Sequence, residues 1–151
     1  MEVFAITPAS TKPLWFIAVI CVLIATVLFA LAFTAYASQH SRVEIDANRI
    51  RLVGDFWGRE IPFDLLKVTE ARVMDLGKKD EHAPRWRTFG TGLPGYASGW
   101  FKLRNGEKAL VYLSRRKDVA YIPTTEGYSL LLSVDNPHAF IETLQRHKPT
   151  R

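Results

Sequence analysis

The sequence has one cysteine among its 151 residues, Cys21, and this scarcity excludes an intramolecular disulfide. Histidine is almost as scarce. The four histidines, His40, His82, His138 and His147, show no i, i+4 spacing and have no cysteine partner, so the pattern of a zinc site is missing. A single cysteine fits a reducing compartment. We therefore predict neither a metal nor any other cofactor.

Signatures of catalysis and of nucleic-acid binding are also missing. No serine stands in a nucleophile elbow, so Ser114, Asp118 and His138 do not form a recognisable triad. The glycine-rich stretch 90–95 lacks the glycine-lysine-serine/threonine sequence of a phosphate-binding loop, which favours a structural turn. Lys and Arg outnumber Asp and Glu by 20 to 15 but form no dense run. We predict no catalytic activity and no nucleic-acid partner.

Charge is absent from Leu14 to Ala37, a run of 24 residues. A helix rising about 1.5 Å per residue would make this run about 36 Å long, against a hydrocarbon core of about 30 Å. Trp15 and Tyr36 stand near its two ends, where amphipathic aromatics favour the headgroup region. The run predicts a transmembrane helix over residues 14–37, which would anchor the chain in a lipid bilayer.

Two other interpretations of this run remain open. A buried core helix of a soluble protein rarely continues so long without a charge. A cleavable signal peptide is the stronger rival, because residues 35–37 have the small-x-small form of a cleavage site. Against it, the apolar core of a signal peptide is about 7 to 15 residues long, and the segment 1–13 carries Glu2 and Lys12 instead of a basic cluster. The sequence favours an uncleaved anchor.

Basic residues on the two sides of the run predict its orientation. Arg42, Arg49 and Arg51 follow it closely, whereas Lys12 is the one basic residue before it. The positive-inside rule counts Lys and Arg near the membrane ends. We therefore predict that the carboxyl-terminal side lies in the cytoplasm.

Short runs of alternating polar and apolar residues fill the rest of the chain, as in half-buried strands. The Asn105-Gly106 pair predicts a hairpin turn, and Asn136 before Pro137 predicts the start of an amphipathic helix. We predict six or seven short antiparallel strands closed by this helix, with a long irregular loop over 77–99. The predicted segments are a tail (1–13), the transmembrane helix (14–37), a linker (38–41), the domain (42–147) and a second tail (148–151).

Four blocks of the domain resemble the bacterial pleckstrin-homology-like (PH-like) family, whose members occur beside membrane spans. The likeness covers most of residues 42–147, and its motifs are turns, strands and a helix cap. The blocks are Gly58–Leu65, Gly99–Phe101 with Asn105-Gly106, Val119–Thr124, and Tyr128–Val134 with Asp135–Phe140.

This resemblance implies a mainly β fold, a PH-like antiparallel barrel of roughly orthogonal sheets capped by the carboxyl-terminal α-helix, with no catalytic machinery. It also implies a single-pass protein of the bacterial cytoplasmic (inner) membrane. Many eukaryotic relatives bind phosphoinositides through basic residues between the first two strands. Here residues 46–48 occupy that turn, flanked by Arg49 and Arg51 without a lysine-x-arginine pocket, so phosphoinositide recognition is not carried over.

Two hypotheses of function follow. The first is a membrane-anchored interaction module that binds a protein partner, such as another membrane protein. The alternative is a sensor of anionic lipid headgroups that uses basic loop tips, since each Lys or Arg near an anionic leaflet adds about 1 kcal/mol of attraction. Salt should weaken headgroup binding steeply and an apolar partner site much less. The candidate contact residues are Lys78, Lys79, Arg85, Trp86, Arg87, Arg115, Arg116 and Lys117.

Overall fold

A computed structural model of the chain describes residues 12–54 and 56–147, so most of the first predicted tail and all of the second lie outside the described residues. The chain divides into two compact units, residues 1–36 and residues 37–151. Helix α1 runs from Lys12 to His40, and the predicted linker is thus helical up to His40.

Helix α1 contains one segment, Pro13–Ala37, that is long and apolar enough to cross a membrane, with a mean hydropathy of 3.0. The most apolar 18-residue window of this segment contains no buried residue. Its two threonines satisfy their hydroxyls within the helix: Thr26 donates to the carbonyl of Val22 and Thr34 to that of Ala30, both at 2.8 Å. The segment therefore exposes few unsatisfied polar groups, as a lipid medium requires.

The strands form two sheets. The smaller sheet has the order β1-β2-β3 and the larger the order β4-β8-β9-β7-β6-β5. Helix α2 packs on β4 and β8. The element bounds are β1 Arg42–Ile45, β2 Arg49–Val53, β3 Glu60–Pro62, β4 Arg72–Met74, β5 Pro84–Leu93, β6 Tyr96–Leu103, β7 Lys108–Leu113, β8 Val119–Pro123, β9 Tyr128–Leu132 and α2 Pro137–Arg146, with 3₁₀ turns at Phe63–Leu65 and Val68–Glu70.

Strand β9 is at the centre of the fold. It pairs in parallel with β7 and antiparallel with β8, and all five of its residues are buried. A strand buried on both faces has apolar contacts on each of them, so its sequence is a continuous run of apolar residues instead of an alternation. One face meets a first core with the small sheet and α2, through residues such as Ile50, Leu130 and Leu144. The other meets a second core that includes Leu76 and Leu131.

The structure confirms the mainly β fold with an amino-terminal apolar helix and a carboxyl-terminal helix. The predicted cap of α2 is present, because the amide of Ala139 donates to the Asn136 side chain at 3.1 Å. The strand count was wrong: the described residues contain nine strands instead of six or seven. They also form a PH-like sandwich of two sheets instead of a closed barrel.

The prediction of an irregular loop over residues 77–99 was wrong. Residues 84–93 form β5 and residues 96–99 begin β6, and a tight turn at Pro94-Gly95 joins the two strands. The irregular part of this region is confined to the residues before β5. The glycine-rich residues 90–93, predicted as a structural turn, are extended strand paired with β6. The partner strand stabilises an extended conformation that the glycines alone do not favour.

Candidate binding surfaces on the β5–β6 hairpin

The β5–β6 hairpin is the longest strand pair in the described part of the domain, and β5 is one of the two outer strands of the large sheet. Its register shifts twice, between the pairs of Pro84 and Trp86 and between those of Arg87 and Phe89. Such bulges bend an outer strand and redirect its side chains. As a result, every residue from Arg85 to Phe89 is exposed.

The cross-strand pairs assign the β5 side chains to the two faces of the sheet. Trp86 pairs with Lys102 and Phe89 with Trp100, and these partners are two residues apart on β6. Residues two apart on a strand point to the same face, so Trp86 and Phe89 share a face. Arg87 pairs with Phe101 and lies on the opposite face. The outer strand is therefore aromatic on one side and basic on the other.

The exposed aromatic side of β5 consists of Trp86 and Phe89, which we call the aromatic patch. Their exposed fractions are 64% and 66%. The ring of Phe89 meets that of Trp57 edge to face, with centroids 4.7 Å apart, and Trp57 precedes β3 beside Phe56. Trp86, one of the predicted contact residues, is exposed. Exposed aromatics grouped in this way are typical of interaction sites.

The basic side of the hairpin borders a cavity of about 210 Å³. Three of its lining residues, Ala97, Phe101 and Leu113, are apolar side chains on β6 and β7. Arg85 from β5 lines it together with Arg115 and Arg116, which follow β7. We call this site, with its apolar floor and its three arginines, the basic groove.

Backbone interactions hold one side of the basic groove. The guanidinium of Arg115 donates to the carbonyls of Val134 and Asp135, the second at 3.3 Å, and Ser133 donates through its hydroxyl to the Arg115 carbonyl at 3.0 Å. Arg116 accepts through its carbonyl from the amide of Leu76 at 2.7 Å. The turn that carries these arginines is thus fixed to neighbouring segments, which limits the entropy lost when a ligand binds.

The remaining arginine of the hairpin lies beside the same groove. A guanidinium nitrogen of Arg87 is 3.1 Å from the position that a Cβ of Gly92 would occupy, and Gly92 lines the groove. Within residues 12–54 and 56–147, no carboxylate lies within 4 Å of the guanidinium groups of Arg85, Arg87, Arg115 or Arg116. Four positive charges therefore surround the groove, and no described carboxylate lies within ion-pair distance of them.

The structure brings together part of the predicted set of contact residues. Arg85, Arg115 and Arg116 line one groove, Arg87 lies next to it, and Trp86 faces the other side of the sheet. The other predicted residues, Lys78, Lys79 and Lys117, are exposed in turns and do not line the groove. Phe89, exposed on the same face as Trp86, was not among the predicted contact residues. The sequence carried no signal for it, because the strand that positions it was predicted as an irregular loop.

A buried polar cluster lies elsewhere on the large sheet. Ser129 donates to the carboxylate of Glu107, and the Tyr121 hydroxyl lies 3.3 Å from both carboxylate oxygens. Burial is the main cause that raises the pKa of Tyr121 above its usual value. The hydrogen bond with Ser129 lowers this pKa, whereas the charge and hydrogen bonds of Glu107 raise it. The described residues contain no group of three or more His, Cys, Asp or Glu side chains placed to hold a metal. We interpret this cluster as structural, because it joins β7, β8 and β9.

A family comparison identifies the domain. The family model described as Bacterial PH domain matches residues 40–148, which is 109 of the 151 residues. The chain belongs to the bacterial PH domain family. Neither a curated protein nor a solved structure matches the chain. In this bacterial PH domain, the turn between β1 and β2 contains Asp46, and both the aromatic patch and the basic groove lie on other elements.

Proposed function

We propose that this chain is a membrane-anchored bacterial PH module that binds a protein partner through the β5–β6 hairpin and has no catalytic activity. The observation that carries the proposal is the exposure of Trp86 and Phe89 on the outer strand of the large sheet. Aromatic side chains supply much of the binding energy at protein interfaces. Exposed aromatic rings are costly in water unless a partner covers them. The apolar segment Pro13–Ala37 supports the anchor.

A protein partner should be captured by a photoreactive residue on the aromatic patch. We would place benzoylphenylalanine at position 89 of the full-length chain, in the bacterial cells that produce it, and irradiate them. We expect an adduct with one discrete protein, and the W86A substitution should lower its yield at least fivefold. The same residue at position 145, exposed on α2, is the control and should give no such adduct. Lipid adducts alone, or equal adducts at both positions, would contradict the proposal.

We also propose that the anchor spans the bacterial inner membrane and leaves the domain in the cytoplasm. The support is the excess of Arg42, Arg49 and Arg51 over Lys12 near the ends of the apolar run. A variant with Cys21 changed to serine and one cysteine added after Arg151 tests this topology. A membrane-impermeant thiol reagent should label it only after cell lysis. Labelling of intact cells would place the domain outside the cytoplasm.

A further inference from the structure

The charge around the basic groove is uncompensated within the domain. Arg85, Arg87, Arg115 and Arg116 have no carboxylate within ion-pair distance among the described residues. Several arginines elsewhere on the surface are paired, and Arg51, for example, lies 3.1 Å from Glu60. A surface with this local charge attracts an acidic partner and repels a basic one.

The dimensions of the basic groove favour a side chain as its occupant. Its volume of about 210 Å³ is below the range of about 300–1,000 Å³ that is usual for pockets of drug-sized ligands. Its floor is apolar, with Phe101 and Leu113 buried at the base, while guanidinium groups line its border. An aspartate or glutamate side chain fits both features, because its methylene groups contact the floor and its carboxylate reaches the planar donors of arginine.

The basic groove and the aromatic patch lie on opposite faces of the large sheet, on the two sides of strand β5. Arg85 lines the groove and Trp86, the next residue, belongs to the patch; the Arg85 guanidinium lies 5.7 Å from the Trp86 ring centroid. A partner segment that covers Trp86 and Phe89 reaches the groove by crossing the free edge of β5.

We infer that the basic groove accepts an acidic side chain of the protein segment that covers the aromatic patch. The inference rests on the proposed function and adds the chemistry of the partner: an apolar segment with at least one aspartate or glutamate beside the residues that contact the aromatic rings. Arg85 and Arg116 bind the carboxylate, and Arg115, held by the Val134 and Asp135 carbonyls, fixes the end of the groove.

A peptide titration tests the inference on the full-length protein in neutral detergent micelles. The probe is a capped hexapeptide with two central glutamates between leucines and glycine ends, and the comparison peptide has glutamines in their place. Arginine side-chain NMR signals report binding. We expect the glutamate peptide to shift the signals of Arg85 and Arg116 and to bind at least fivefold more tightly than the glutamine peptide.

Charge-matched variants decide whether the groove itself is the site. R85Q/R116Q should abolish the preference for glutamate, whereas K78Q/K79Q removes the same number of charges outside the groove and should preserve it. Equal affinity for the two peptides, or an equal loss in both variants, would overturn the inference. The inference would also be overturned if R85Q/R116Q weakened binding to phosphatidylglycerol vesicles but not to the glutamate peptide. That result would make the groove a lipid site. A protein adduct at position 89 would leave the proposed function standing in each case.

Discussion

Replacement of Leu131 by alanine is expected to lower the free energy of unfolding by about 3 kcal/mol, within the range of about 2–5 kcal/mol for buried leucines. Leu131 is fully buried at the middle of β9, between Val111 of β7 and Tyr121 of β8. Truncation leaves a cavity in the second core, which the neighbouring strands fill poorly because both are held in register by β9. Denaturant unfolding of the full-length protein in neutral detergent, followed by tryptophan fluorescence, measures the change.

The anchor supplies a matched control for this substitution. Leu23 is also a leucine, but it lies in α1 with 61% of its surface exposed. Since α1 up to residue 36 belongs to the other compact unit, L23A should leave the unfolding transition of the domain unchanged. Equal effects of L131A and L23A would mean that the second core contributes nothing to stability.

The elements that the sequence predicted well are those with local causes. The β1–β2 hairpin follows from strict alternation about a polar turn, and the β6–β7 turn follows from Asn105-Gly106, where Gly106 has a φ of 89°. Helix α2 follows from its Asn136 cap. In each case the residues that form the element also determine it.

Strand β5 could not be predicted because its cause is not local. Gly90 and Gly92 are poor strand formers, and the two bulges interrupt the alternation that identifies a strand. Pairing with β6 overrides these preferences. The parallel pairing of β7 with β9 is also a long-range feature, and it departs from the predicted antiparallel order.

The candidate contact residues show the same difference between what local sequence predicts and what long-range pairing decides. The sequence identified Arg85, Arg115 and Arg116 as contact residues but treated them as separate loop tips. Arg85 and Arg115 are far apart along the chain, and only the adjacency of β5, β6 and β7 in the large sheet brings them to one groove. The exposure of Trp86 depends on the same sheet order, because a tryptophan on a central strand would be covered on both sides.

Replacement of Gly99 by alanine is expected to cost more than about 3 kcal/mol and to disrupt both candidate surfaces, because it combines backbone strain with a backbone clash. Gly99 has a φ of 111°, a region that residues with a Cβ rarely adopt. A Cβ there would lie 2.5 Å from the Cα of Gly90 and 2.6 Å from the carbonyl oxygen of Phe89. Both obstacles are backbone atoms of β5, so relief requires the two strands to separate. Denaturant unfolding and the yield of the position-89 adduct are the two measurements.

Two other glycines separate the causes of this effect. Gly95, in the β5–β6 turn, has a φ of 81°, but a Cβ added there would have no atom within 4 Å, so G95A should show the strain alone, at about 1 kcal/mol. Gly77 has neither a positive φ nor a close neighbour, and G77A should be almost neutral. A G99A protein as stable as G95A would show that β5 moves away from β6 at little cost. In that case β5 would not be a rigid platform, and a partner would have to order the strand as it binds.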